Sequence, residues 1–143
     1  MARPILIIED DADIAEALRY SLEKDEFQTR VACNGAEGLS ASLDKDNPPA
    51  LILLDLLLPG MNGIEVCRRL RREPSTESTP IIMLTAKGSE ADFARAWAAG
   101  VDDYITKPFS IRNVIERIAA LLARKVSRPV AAGPSREESR INS

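Results

Sequence analysis

Five times along the chain a short apolar run gives way to an amphipathic stretch, and that alternation leaves few architectures open. Ile5–Ile8 is apolar without a break, as a strand covered on both faces requires. Asp11 can then cap a helix in which Ile14, Leu18 and Leu22 recur every four residues. Residues 29–33 form a second strand of weaker pattern, expected at the sheet edge, and Asn34 can cap a short helix carrying Leu39 and Leu43. Residues 50–54 make the clearest strand, with Asp55 directly behind it. Pro59-Gly60 and Asn62-Gly63 mark turns, and a helix through Val66 and Leu70 stops before Pro74. Strand four is expected at 80–84, helix four at 89–99, with Gly100 placed to end it in the left-handed conformation. Strand five follows at 103–106, and a last helix at 110–124 turns Val114, Ile118, Leu121 and Leu122 to the core. Right-handed crossovers return each strand parallel to the last, so the fold class is α/β: a five-stranded parallel sheet, doubly wound, with helices on both faces. One domain is expected at 1–125. From Val126 the periodicity is lost among Pro129 and Ala-Ala-Gly-Pro, so 126–143 reads as a disordered tail or linker.

Composition narrows the function. A net charge of −3 offers no general attraction to nucleic acid or anionic membrane. No apolar run reaches the ~20 residues that span a bilayer, and Cys33 and Cys67 lie in no metal-like spacing, so both read as reduced core thiols of a cytoplasmic protein. The chain has no histidine, which removes imidazole bases, histidine metal ligands and phosphohistidine carriers. Its chemistry must run on carboxylates, hydroxyls, lysine and a hard metal.

Ligands of doubly wound sheets bind beyond the carboxyl ends of the strands. Glu9, Asp10 and Asp11 follow strand one, Asp55 strand three, Thr85 strand four and Lys107 strand five, so every reactive side chain falls on one rim. With Asp11 spent on a helix cap, three carboxylates face one lysine, and a divalent cation would neutralise the excess. An all-oxygen site with few carboxylates suits Mg²⁺. Asp55, alone at the end of a buried strand, is the nucleophile candidate, since carboxylates can form acyl phosphates. A metal, a lysine and a hydroxyl around it would supply the charge cancellation that phosphoryl transfer needs.

The strings ILIIEDD, LILLDLLLPGMNG, IIMLTAKG and GVDDYITKPFS, spread in order over residues 4–124, resemble the response-regulator receiver family of two-component signalling. The resemblance implies a flavodoxin-like sheet in the order 2-1-3-4-5. It makes Asp55 the phosphoacceptor, Asp10 a direct Mg²⁺ ligand, Glu9 a ligand mostly through water, and the carbonyl of Leu57 the remaining protein ligand. Thr85 resembles the switch hydroxyl, Lys107 the ion-pair partner, and Tyr104 the aromatic that turns inward when Thr85 moves. Lys107-Pro108 is similar to the family's cis peptide. A histidine kinase or histidine phosphotransfer protein is the implied phosphodonor, and the output face the one formed by helix four, strand five and helix five. The implied role is that of a switch catalysing only its own phosphorylation and dephosphorylation.

Within the family the chain looks most like receivers joined to winged-helix DNA-binding domains, which dimerise through that face by cross-subunit ion pairs. Asp103, Arg117 and Arg124 match such positions, but Phe93 and Asn113 stand where charges would be expected. Phe93 and Trp97, four apart, share a helix face and with Tyr104 suggest an apolar patch for a downstream protein or a second copy. The plain alternative is that both aromatics are core. Ala91, Ala94 and Ala98 form a separate strip that could pack on the sheet. One or two of Leu56, Leu57 and Leu58 should fold into the core, and Ile14 is either ordinary core or a contact for the phosphodonor.

Other functions fit less well. An aspartyl-phosphate hydrolase would want a second acid at position 57, which is leucine. A flavodoxin-like nucleotide carrier would need a phosphate-binding loop where Glu9-Asp10-Asp11 stand. A receiver-like module that signals without phosphorylation would not need the complete set of site residues.

Overall fold

The computed structural model describes residues 3–86 and 90–127. Five strands alternate with five helices: β1 (Ile5–Ile8), α1 (Ala12–Lys24), β2 (Thr29–Ala32), α2 (Gly35–Ser42), β3 (Leu51–Asp55), α3 (Gly63–Arg72), β4 (Ile81–Thr85), α4 (Glu90–Ala99), β5 (Asp103–Thr106) and α5 (Ile111–Ser127). All strand pairs are parallel, in the order β2-β1-β3-β4-β5. That is the expected doubly wound sheet with β2 at an edge.

The unbroken apolar strands follow from burial on both faces. In β1, β3 and β4 every residue is buried, and alternate side chains enter opposite cores. Leu6, Ile8, Ile52, Leu54, Ile81 and Met83 pack beneath Val66, Leu70 and Ala96. Ile5, Ile7, Leu51, Leu53, Ile82 and Leu84 pack beneath Leu18, Leu22, Val114 and Ile118. Two helix starts are capped as their sequences suggest. Asp11 accepts from the amides of Asp13 and Ile14, and Asn34 from that of Glu37. Gly100 ends α4 at φ +109°.

Several boundaries and burials differ from expectation. β3 and β4 each run one residue further, so Asp55 and Thr85 are the last residues of their strands. Cys33 lies beyond the end of β2 and is exposed, because an edge strand that stops at Ala32 leaves it outside the sheet; only Cys67 is a core thiol. Leu43, at the carboxyl end of α2, is exposed, while Gly35, Gly38 and Ser42 make the buried face. Ala91, Ala94 and Ala98 are exposed and do not pack on the sheet. The face of α4 that does so carries Ala96 and Ala99, roughly opposite on a 3.6-residue turn. Leu122 is only partly buried. α5 continues through Ser127, past the expected domain end. Ser89 and the remainder of the expected tail lie outside the described residues.

At the amino-terminal rim of the sheet, Arg71 joins three elements. Its guanidinium donates to the carbonyls of Gly100 (3.0 Å), Thr76 (3.0 Å) and Thr79 (2.8 Å) and to the Asp102 carboxylate (3.0 Å). Asp102 also accepts the Ile81 amide at 2.8 Å, so α3, the end of α4 and the start of β4 meet at one ion pair.

Candidate functional site

The carboxyl ends of β1, β3, β4 and β5 bring Glu9, Asp10, Asp55, Thr85 and Lys107 to one rim, as the sequence order implies. Carboxylate oxygens of Glu9, Asp10 and Asp55 lie within 4.8 Å of one another. Glu9 and Asp55 are buried, at 2% and 5% exposure, while Asp10 is open to solvent.

Lys107 reaches across the sheet to this cluster. Its ammonium donates to Glu9 Oε1 at 3.1 Å and, more loosely, to Asp55 Oδ2 at 3.5 Å. Glu9 Oε2 accepts the Asp11 amide at 3.1 Å. Both Glu9 oxygens are therefore engaged within the chain. The Lys107–Pro108 peptide is cis, as expected, and the Lys107 amide is bonded to the Thr85 carbonyl at 2.5 Å.

Charge here is uneven. Burial first, and then the facing Asp55 carboxylate, push the Glu9 carboxyl up to about 7, against the lowering effect of the Asp11 amide. Burial works against the Lys107 charge, but its contacts with Glu9 and Asp55 outweigh this and raise its pKa. Three carboxylates against one ammonium leave room for a divalent cation, and an all-oxygen donor set fits Mg²⁺.

Asp55 is held by its own loop. Its Oδ1 accepts the Leu57 amide at 3.3 Å, a backbone contact that no side-chain pattern could disclose. Of the three leucines, Leu56 is buried, Leu58 packs against the core and Leu57 is 66% exposed. Thr85 Oγ1 and the Tyr104 hydroxyl are buried and make no well-formed hydrogen bond among the described residues, although Thr85 lies close enough to Tyr104 to oppose in part the rise in its pKa.

Next to Tyr104, Phe93 lies edge-on to its ring at a centroid distance of 4.8 Å and to that of Trp97 at 5.8 Å. Phe93 and Trp97 are 45% and 41% exposed, so the reading of both as core does not hold. Burial, followed by the nearby Asp92 carboxylate, raises the Tyr104 hydroxyl pKa. Asp103 and Arg117, matched above to cross-subunit positions, pair with each other inside the chain at 2.7 Å. Ile14 is partly buried against the α1/α5 core.

Comparison with known proteins gives this arrangement a family. The sequence profile of the response regulator receiver domain matches residues 5–119. The chain belongs to the response-regulator receiver family. This receiver is 48% identical over 120 residues to the transcriptional regulatory protein ResD of Bacillus subtilis (strain 168), covering 84% of the chain and 48% of that protein. It is 43% identical over 124 residues to the phosphate regulon transcriptional regulatory protein PhoB of Rhizobium meliloti (strain 1021), covering 87% and 54%. The receiver thus spans about half the length of these curated relatives. Among solved structures, a CheY-like receiver domain protein from Methanospirillum hungatei JF-1 superposes with a TM-score of 0.84 at 27% identity, covering 90% of this chain and all of that one. The signal receiver domain of a histidine kinase from Syntrophus aciditrophicus superposes at 0.79 with 36% identity, covering 91% and 96%. No helix among the described residues is long and apolar enough to cross a membrane.

Proposed function

We propose that this receiver is a phosphorylation-operated switch whose phosphoacceptor is Asp55. The observation that carries the reading is a buried Asp55 at the end of the central strand, with Lys107, Glu9 and Asp10 around it. The Leu57 amide holds one Asp55 oxygen, and the other lies 3.5 Å from the Lys107 ammonium.

In the forward step Asp55 Oδ attacks the phosphorus of a phosphohistidine on a histidine kinase or phosphotransfer protein. The O–P bond forms as the P–N bond breaks, and its electron pair stays on the imidazole. The other imidazole nitrogen already carries a proton, so the donor leaves neutral. In a separate dephosphorylation step water attacks phosphorus as the Asp55 O–P bond breaks; its oxygen and both protons leave with inorganic phosphate, and the electron pair restores the Asp55 carboxylate. Asp10, Asp55 and the Leu57 carbonyl would hold Mg²⁺, with Glu9 acting through water. The ion would supply positive charge to the phosphoryl oxygens.

Lys107 is already anchored to Glu9, and its looser contact with Asp55 can follow the new charge. Thr85 Oγ1, with no well-formed hydrogen bond among the described residues, gains an acceptor when phosphoryl oxygens arrive. Its movement frees space for Tyr104, and the face formed by α4, β5 and α5 changes with it. The exposed Phe93 and Trp97, with the half-buried Tyr104 beside them, would then meet a downstream protein or a second copy, and Ile14 would contact the phosphodonor. The setting is cytoplasmic, with no direct nucleic-acid contact by residues 1–143.

Intact mass after incubation with a small phosphodonor tests the reading. One added phosphoryl group is expected with Mg²⁺, and none with excess chelator or in Asp55→Asn. Absence of the adduct in the native protein, with fast hydrolysis excluded by rapid quenching, would leave a receiver-shaped interaction module.

A further inference from the structure

Gly63 opens α3 immediately behind the phosphoacceptor, and its backbone conformation gives no reason for a glycine. Its φ lies outside the left-handed region, where Gly60 and Gly100 do lie. At an ordinary φ in a helix, alanine would be preferred for propensity and for lower unfolded-state entropy. What excludes it is space. A Cβ at position 63 would come well inside 3.0 Å of the Asp55 carbonyl oxygen, and to 3.1 Å from both the Asp55 carbonyl carbon and Leu56 Cα. These neighbours are backbone in the central strand and its exit, so they cannot swing aside as a flexible side chain would.

The close approach closes a loop. The Gly63 amide donates to the Leu56 carbonyl at 2.7 Å, bringing both ends of the 56–63 segment together. Within that ring the Leu57 amide holds Asp55 Oδ1. Asn62, whose side chain caps the Glu65 amide, fixes the first turn of α3 against it.

We infer that Gly63 is a positioning residue for phosphoryl transfer: its missing side chain lets α3 rest on the Asp55–Leu56 backbone and so fixes both the Asp55 carboxylate and the Leu57 peptide. The inference rests on Asp55 being the phosphoacceptor. A methyl group at 63 must lift the start of α3 or open the loop, and either change moves Leu57 relative to Asp55. Misplacement on the order of 1 Å at a reacting group costs about 100-fold in rate.

The test compares the native 143-residue chain, Gly63→Ala and Asn62→Ala. Circular dichroism reports folding, amide exchange in metal-free protein reports the loop, and quenched-flow mass analysis gives the phosphorylation rate and its Mg²⁺ half-saturation. For folded Gly63→Ala the expected result is accelerated exchange at Leu57 and residue 63, confined to 55–63. A rate about 10–100-fold lower at saturating Mg²⁺ and a raised half-saturation should accompany it. A merely packing role would lower stability but leave these three quantities native in the folded protein, and that result overturns the inference. If Gly63→Ala does not fold, Asn62→Ala decides, because it loosens the same turn without adding an atom. Faster exchange at Leu57 with a raised half-saturation supports the inference, and native values for both overturn it. A native protein that gains no phosphoryl group sinks the function reading and this one together. A native adduct with an unaltered Gly63→Ala sinks this one alone.

Discussion

Replacing Arg71 by methionine should unsettle the fold more than its position far from the phosphoacceptor suggests. The substitution keeps much of the aliphatic stem but removes every donor to Gly100, Thr76, Thr79 and Asp102. Three carbonyls lose a partner, of which that of Thr76 still accepts the Thr79 amide, and among the described residues Asp102 keeps only the Ile81 amide. Breaking a fully buried ion pair from one side costs about 3–5 kcal/mol. Here the two side chains are 19% and 18% exposed, so water recovers part of the loss. A cost of roughly 2–4 kcal/mol follows, with the carbonyls that lose the guanidinium at or below the low end of the ~1–3 kcal/mol range for an unsatisfied group. For a domain of this size a urea m-value near ~1.5 kcal/mol/M is typical, which converts the loss to a midpoint shift of about 2 M. Equilibrium urea unfolding, followed by circular dichroism and by the single tryptophan, Trp97, measures it. A second variant, Asp102→Asn, and the double variant complete a cycle whose coupling should be about 1 kcal/mol or more. A midpoint shift below about 0.5 M, or additive single effects, would refute the clamp.

Three further outcomes bear on titratable groups. The Glu37 carboxylate hydrogen-bonded to Cys33 raises that thiol's pKa, so near pH 8 less of it is thiolate; thiol reagents should label it slowly, and Glu37→Gln should speed labelling. Cys67, pushed up to about 11 by burial, should react only on unfolding, as mass analysis with and without denaturant would show. In chelator, the Glu9 carboxyl is raised from 4.5 to about 7 in the folded state, so its contribution to stability is complete below pH 4.5 and is lost as pH rises through about 7. The native urea midpoint should therefore decline across that window more steeply than that of Glu9→Gln, and parallel declines would count against the shift.

Much of this receiver was legible because its strands are unusually plain. A run such as Leu51–Asp55, apolar to its last residue and then acidic, states both its burial and which end faces ligand. The rim residues followed from the parallel topology alone, and the helix caps from single Asp and Asn side chains. What stayed hidden depends on backbone or on angular detail. The Leu57 amide on Asp55 and the Gly63 contact involve main-chain atoms, which leave no side-chain pattern. The alanine-rich α4 misled because small residues occur on every side of it, so periodicity could not choose between Ala91-Ala94-Ala98 and Ala96-Ala99. Cys33 misled because a one-residue difference in strand length decides whether an edge residue is covered. Arg71 and Asp102 lie 31 positions apart, and nothing local in the sequence joins them.

The ion pairs beside the aromatic cluster have an effect of another kind. Asp103 is matched to Arg117, and Asp92 to Arg95, within a single chain. With these charges closed on themselves, the two pairs add little long-range field at the α4–β5 face. Encounter there would lack electrostatic steering and proceed at the ~10⁵–10⁶ M⁻¹s⁻¹ of neutral surfaces, with little response to ionic strength. Discrimination among related partners would then come after contact, from how closely a surface fits the edges of three rings, and would register in how long the partner stays.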